Sequence, residues 1–306
     1  MKKALSIDIG GTKLSYALIN KKGEFESEIQ KVPTPKTAKE ICSLLSGLAK
    51  EYYDNFDAMA VATAGAVNIS NTKVNSSTPN LPEGYNQIDF SKITDKKVFV
   101  ENDANAAAWA EYKIGAAKGT QNAIIITLGT GIGGGAIVDG KLLRGKSGAA
   151  MEVGSMKIFA DKRRKCTCRR YDCWESYASG TGLKITLQEM AQTESEFALS
   201  FLSNKKPEEL TTYDVIDGLQ KNDEFCKKVF AQWEEHLFVG LVGLVNIFDP
   251  ECIVISGGMG EFIRLKELEE RINNEIVVPE IKLHLARMKN NAGKVGAALL
   301  ALGTGI

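Results

Sequence analysis

The chain carries no excess of either charge: 38 lysines and arginines stand against 38 aspartates and glutamates in 306 residues, and no long run of one sign occurs. Nucleic acids and acidic membrane surfaces select basic patches, so neither is expected as a partner. Missing too is any apolar stretch approaching the roughly 18 residues that a bilayer-spanning helix needs. The longest candidate, "HLFVGLVGLVNIF", reads as part of a buried helix. The opening "MKKALSIDIGGTKL" has two lysines, as a secretory leader would, but Asp8 interrupts its apolar run and no small-residue cleavage site follows. A cytoplasmic location is therefore expected. There is no low-complexity linker, and histidine is scarce, with only His236 and His284. Six cysteines need not pair in a cytoplasmic protein of this size. Cys42, Cys226 and Cys252 fall in apolar periodic segments and read as core, whereas Cys166, Cys168 and Cys173 are clustered.

Glycine, by contrast, is concentrated. "TLGTGIGGGAIVDGKLL", from Thr127 to Leu143, contains the G-x-G-x-x-G spacing at Gly129, Gly131 and Gly134. That spacing signals a dinucleotide site only where a helix follows the loop. Here β-branched residues follow, then Asp139-Gly140, a strong two-residue hairpin signal. The glycines therefore join two strands. The first segment, "KKALSIDIGGTKLSYALINKKGEF", has the same plan: strand, glycine turn, strand, then a Lys22-Gly23 hairpin turn into a third strand. The two segments form a weak repeat with a period of about 120 residues, the pattern of two similar domains. Two such hairpin turns facing each other across a cleft would grip a phosphate chain from both sides.

Between and after these segments, strands alternate with helices. Thr37 and Glu40 have capping-box spacing ahead of an amphipathic helix with Ile41, Leu44, Leu45 and Leu48 on one face. "FDAMAVATAGAV" reads as a buried strand, "KKVFVENDANAAAWAEYKIGAA" as strand then helix, and "ECIVISGGMGE" as a strand entering a third glycine turn that opens a helix. The class is α/β with mixed sheets, and the break falls near Gly115 to Thr120. Asp8 ends an apolar strand against two glycines, where backbone N–H groups turn toward an anion and a carboxylate suits hydrated Mg²⁺. Gly257 and Gly258 leave backbone that lies flat against a nucleoside. Asn102 or Asp103 reads either as a cap of the alanine-rich helix or, for Asp103, as a general base at a strand's carboxyl end. Asn80 and Asn102 suit the hydroxyls of a polyol.

These segments, with "ENDANAAAWAEY", "CTCRRYDCWESYASG" and "VISGGMGE", resemble the ROK family of sugar kinases and repressors over almost the whole chain. The resemblance implies an actin-like ATPase (ribonuclease H-like) fold, two domains with mixed sheets around a central cleft. Residues 1–117 plus 292–306 would form the smaller domain and 118–291 the larger. It implies that Asp103 takes the proton from the sugar 6-hydroxyl as the γ-phosphate of ATP arrives. Asn80, Asn102, Glu152, Ser155 and Glu175 would hold sugar hydroxyls beside the Gly65 loop. Asp8, Gly10, Gly11, Thr12, Lys13, Thr130, Gly131 and Gly133 would handle phosphates and Mg²⁺, and Gly257 and Gly258 the adenosine. The two domains are expected to close over the sugar, and a homodimer is implied.

The chain departs from the family pattern at Ser155, where most members have a histidine that touches the sugar and, with three cysteines, binds structural zinc. Cys166, Cys168 and Cys173 keep the C-x-C-x4-C spacing, but Arg169 and Asp172 replace the usual glycines. A closed zinc site needs four ligands, so zinc is not expected unless Asp161 or Asp172 supplies the fourth. The Ser155 hydroxyl would replace part of the lost sugar contact. A repressor would carry a DNA-binding domain before the first strand and a basic face, so the kinase is the expected activity, ahead of a non-catalytic sugar-sensing relative. Glucose-phosphorylating members usually have proline before the glycine of the first sugar loop. Ala64 stands there, as in members similar to N-acetylmannosamine kinases, so N-acetylmannosamine is expected ahead of glucose.

Overall fold

The weak repeat in the sequence returns as a repeated sheet. A computed structural model describes residues 1–76 and 81–303. The antiparallel strands β1 (Lys3–Ile9) and β2 (Lys13–Asn20) are joined on one side by β3 (Gln30–Pro33). Helix α1 (Ala38–Glu51) leads to β4 (Ala58–Thr63), which pairs parallel with β1. A small separate hairpin, β5 (Ala66–Val67) and β6 (Val74–Ser76), precedes β7 (Lys97–Asn102), the parallel neighbour of β4. The first sheet thus runs β3-β2-β1-β4-β7. After α2 (Asp103–Ile114), the strands β8 (Ala123–Leu128), β9 (Ile132–Val138) and β10 (Lys141–Leu142) repeat the antiparallel opening. Helices α3 (Glu175–Ala178), α4 (Gly180–Thr193), α5 (Thr212–Gln220) and α6 (Glu224–Phe248) intervene before β11 (Cys252–Ser256). Then α7 (Leu265–Glu275), β12 (Lys282–Leu285) and α8 (Ala292–Ala301) complete the chain. The second sheet runs β10-β9-β8-β11-β12, the same order and the same pairing senses as the first. This doubled mixed sheet is the actin-like ATPase fold.

Period-two alternation assigns the layers. On β8, Ile124 and Ile126 face a core built with Trp233, Leu237 and Leu241 of α6, while Ile125 faces the opposite side. There it meets α2 and α8, whose alanines pack together with Ala60 and Ala62 of β4. α2 and α8 therefore lie between the sheets and share one core with both, and their small side chains permit the close approach. The outer face of the first sheet buries Ile41, Leu45 and Leu48 of α1. The capping box is present: Thr37 Oγ1 accepts from the Glu40 amide at 3.2 Å, and Glu40 Oε2 accepts from the Thr37 amide at 3.1 Å. Asp139 and Gly140 have φ of 50° and 71°, the left-handed pair that a tight hairpin requires.

Two expected elements shift. The turn at Lys22-Gly23 does not lead straight into a strand; beyond it only an isolated bridge, Ile19 with Phe25, continues the pairing before β3 begins at Gln30. Side chains take over the ladder there, with the Leu18 amide donating to Ser27 Oγ at 2.9 Å and Asn20 Nδ2 donating to Glu24 and Glu26. The third glycine turn does not open a helix directly either. A single 3-10 turn, Gly260–Phe262, ends at the extended and buried Ile263, so α7 starts only at Leu265. Among the described residues no helix is long and apolar enough to cross a membrane.

Candidate functional site

The parallel strands of the first sheet deliver their chemistry at one edge. Register sets Asp8 beside Ala62, and Thr63 beside both Ile9 and Asn102, so Asp8, the Gly65 loop and Asn102-Asp103 all leave the carboxyl end together. Asn102 is the cap of α2: its Oδ1 accepts from the amides of Ala104 at 2.9 Å and Asn105 at 3.0 Å, and its Nδ2 donates to Gly65 O at 3.1 Å. Asn102 carries most of the capping, and Asp103 beside it is exposed. Its Oδ1 accepts from the Ala104 amide at 2.8 Å, and among the described residues no side chain hydrogen-bonds to it. Protein crowds Asp103 although solvent reaches it, and this poor solvation pushes its pKa up.

α8 brings Asp8 and Asp103 into one neighbourhood: a Cβ at Gly293 would lie 3.9 Å from both Asp8 Oδ2 and Asp103 O. Asp8 is likewise pushed up, first by burial and then by the charge of Asp103, while Lys294 acts in the opposite sense. Lys294 Nζ lies 3.7 Å from Asp8 Oδ2 and 3.0 Å from Ser15 Oγ, on a side chain only 4% exposed. Sequence reading passed over this lysine because "AGKVGAALLALG" reads as a small-residue helix. The one available signal is a lone charge within that apolar run.

Both hairpin turns are tight. The Gly10 amide donates to Lys13 O at 3.1 Å, and Gly11, Thr12 and Lys13 are exposed. In the second turn the Gly129 amide donates to Gly131 O at 3.0 Å, and α4 starts against it through Gly180 N to Gly129 O and Thr181 Oγ1 to Thr130 O, at 2.8 and 2.7 Å. A helix N-terminus at that position favours an anion. Gly133 packs on the first turn of α2, where a Cβ would sit 3.1 Å from Ala104 Cβ. The third glycine turn borders a cavity of about 310 Å³ lined by Ser256, Gly257, Gly258, Glu261, Leu285 and Lys289. That volume suits a nucleoside.

Glu152 is exposed, and its pKa is pushed up first by partial burial and then by the charges of Asp103 and Glu175, so three carboxylates share one region. Ser155 is half-buried in the 3-10 turn after it, with its amide on Glu152 O at 3.0 Å. Glu175 is already engaged: Oε2 accepts from the Ile132 amide at 2.9 Å and Oε1 from Thr167 Oγ1 at 3.0 Å. It presses on the second turn so closely that a Cβ at Gly131 would lie 2.2 Å from Oε2. Asn80 lies outside the described residues.

The sulfurs of Cys166, Cys168 and Cys173 all lie within 4.8 Å of one another, and among the described residues no His, Asp or Glu joins that group. Asp172 is committed elsewhere, accepting from the amides of Lys162, Arg163 and Arg164 and from Tyr177 Oη at 2.7 Å. Asp161 pairs with Arg163. Three thiols are one ligand short of the closed tetrahedral set of a structural zinc site, and Glu175 Oε1 lies 3.8 Å from Cys166 Sγ. Arg169 and Asp172 keep φ of 67° and 58°, so the loop retains left-handed turns at the positions where the family pattern has glycine.

A doubled sheet with two glycine hairpins, the carboxylates of Asp8 and Asp103 at one sheet edge and a cavity of about 310 Å³ beside a third glycine turn fits an ATPase-type scaffold. The profile of the ROK family matches residues 4–304, and the chain belongs to that family. It is 32% identical over 312 residues to a glucokinase of Streptomyces coelicolor, covering 97% of this chain and 96% of that protein. It is 30% identical over 310 residues to an N-acetylmannosamine kinase of Escherichia coli, covering 98% of each. Among solved structures, a ROK family glucokinase from Streptomyces griseus in complex with glucose and AMPPNP superposes with a TM-score of 0.79 at 30% identity, covering 98% of this chain and 99% of that one.

Proposed function

We propose that this protein is a sugar kinase that transfers the γ-phosphoryl group of ATP to the 6-hydroxyl of a hexose or N-acylhexosamine. The observation that carries this reading is Asp103, which stands at the carboxyl edge of the first sheet, with its neighbour Asn102 serving as the helix cap. As the sugar oxygen bonds to phosphorus and the bond to ADP breaks, Asp103 accepts the hydroxyl proton; a raised pKa suits that task. Glu152 and the Gly65 loop would hold the acceptor, with Asn80, Ser155 and Glu175 at its margin. The two hairpin turns and the start of α4 would cradle the phosphates, and the cavity at Gly257-Gly258 the adenosine. The exposed edge of Asp8 suits a hydrated Mg²⁺, which supplies charge neutralisation on the phosphates. Lys294 would orient the Asp8 carboxylate from behind.

For the acceptor, N-acetylmannosamine is the first reading, because Ala64 leaves more room than proline beside a 2-acetamido group. Glucose is the second, supported by the glucokinase relatives at 32% identity. A coupled assay of ADP release with each sugar, Mg²⁺ and ATP decides between them. A large kcat/KM advantage for N-acetylmannosamine, abolished in Asp103→Ala, is the expected result. An advantage for glucose overturns the Ala64 argument, and turnover that survives Asp103→Ala overturns the base.

A further inference from the structure

Directly behind Asn102 and Asp103, Glu101 is buried with 2% exposure. Its carboxylate takes four N–H donors. Oε1 accepts from the Asn102 amide at 3.1 Å and Asn105 Nδ2 at 3.2 Å; Oε2 accepts from Asn71 Nδ2 at 3.3 Å and Arg144 Nη2 at 2.7 Å. Arg144 is the one cation of the set, and it comes from the other half of the repeat, just beyond β10. Its Nη1 donates to Asn71 Oδ1 at 3.1 Å, and its guanidinium lies 5.5 Å from the Phe99 ring centroid. Asn71 is itself pinned to β7, with Nδ2 on Val100 O at 2.7 Å and its own carbonyl accepting from the Val100 amide at 2.8 Å.

Arg144 begins a strap, residues 143–152, that leaves the second sheet and lies along the β5–β6 hairpin and β7. Asn75 Nδ2 donates to Ser147 O at 3.1 Å. Gly148, with φ of 79°, runs so near Val67 that a Cβ would fall 1.7 Å from Val67 O. The Ala150 amide closes the strap on Arg144 O at 3.1 Å. The strap ends at Glu152.

We propose that Arg144 is a positioning residue. Through Glu101 it fastens the strap to the strand that carries Asn102 and Asp103, so that Glu152 and Asp103 form one acceptor site already assembled before nucleotide binds. The inference rests on the acceptor-site reading of Asp103 and Glu152 given above. A charge-assisted bond to a buried carboxylate is strong, and removing the cation leaves the Glu101 charge uncompensated. Loss of Arg144 therefore acts on the acceptor side of the cleft, and the glycine turns that face nucleotide keep their geometry.

The test pairs Arg144→Met with Arg144→Lys, which restores the charge without the planar fork. Steady-state kinetics with glucose, N-acetylmannosamine and ATP should give an acceptor KM raised about tenfold or more in Arg144→Met, with the ATP KM changed by less than about twofold and Arg144→Lys in between. Hydrogen exchange read by mass spectrometry should accelerate together in 143–152, 101–105 and the 66–76 hairpin that the strap lies on, and leave the glycine turns at 10–13 and 129–131 unchanged. Equal rises in both KM values, or unchanged protection of the strap, overturn the proposal. Asp103→Asn keeps the two claims apart. If that variant retains wild-type turnover, or if the wild type phosphorylates no sugar, the kinase reading of the site fails, and the exchange experiment still decides whether Arg144 fastens the strap.

Discussion

Gly148→Ala is the substitution whose consequence the geometry fixes most closely. The new Cβ would stand 1.7 Å from Val67 O and 2.9 Å from Val67 C, both main-chain atoms that no rotamer change can move. Restoring a contact of about 3.0 Å requires the two backbones to part by about 1.3 Å. The φ of 79° adds a cost of roughly 1–2 kcal/mol for any residue with a Cβ. Gly119→Ala is the control: its φ is 98°, and nothing lies within 4 Å of its Cβ. That variant should lose about 2–4 °C in Tm per kcal/mol of backbone strain and keep its kinetics. Gly148→Ala should lose more stability than that, because the main-chain clash adds to the strain at φ, and in addition displace Glu152 by an amount of the order of 1 Å. Displacement on that scale costs about a hundredfold in turnover of a positioned substrate. The assay is kcat/KM for the sugar alongside the ATP KM and a thermal melt for both variants. If the two variants differ neither in Tm nor in acceptor kcat/KM, the close approach at Val67 plays no part in holding the site.

Asp103→Asn should lower kcat about 10²–10⁴-fold with little change in the sugar KM, since Asn keeps the shape and loses the proton acceptor; an unchanged kcat in the coupled assay refutes this. The raised pKa of Asp103 places loss of kcat/KM on the acid side, as pH falls through a value above the ordinary 3.8, and a pH–rate profile checks its position. The same raised pKa means that the ionised folded state bears a penalty that appears as pH rises past 3.8. Asp103→Asn should therefore melt slightly higher than wild type at pH 8, a difference that vanishes as pH falls well below 3.8. Solvent that reaches Asp103 screens the charge, so the gain is small. Gly258→Leu, where a Cβ meets nothing within 4 Å, should raise the ATP KM and leave both Tm and the sugar KM as they were. Treatment with a zinc chelator that is removed before assay with fresh Mg²⁺ should leave Tm and activity unchanged, as a three-thiol loop braced by Asp172 predicts; metal analysis of the purified protein provides the second readout.

Much of the fold was legible because local patterns were strong. The failure of a helix to follow the Gly129–Gly134 turn, the Asp139-Gly140 hairpin and the Thr37–Glu40 capping box depend on residues near one another in the chain, and the repeat follows from comparing two such local patterns 120 residues apart, at Lys3 and Ala123. Resemblance then supplied roles for residues that local pattern left open, Asn102 and Asp103 among them. Their division of labour, with Asn102 carrying most of the capping and Asp103 exposed beside it, came only from the tertiary structure. Where side chains replace a backbone ladder, as at Ser27 and Leu18, alternation in the sequence overstates the strand. Lys294, Glu101 and Arg144 were invisible for a different reason. Each lies in a segment that reads as ordinary helix, strand or loop, and each acquires its meaning from a partner far away in sequence: Asp8 for Lys294, Asn71 and Arg144 for Glu101. The sequence by itself determined the strands of the two sheets and the two glycine hairpin turns, because these are set by short-range periodicity and turn chemistry. Only the tertiary structure decided how the halves are fastened, because a buried charge network is defined by which distant groups meet in a low-dielectric interior.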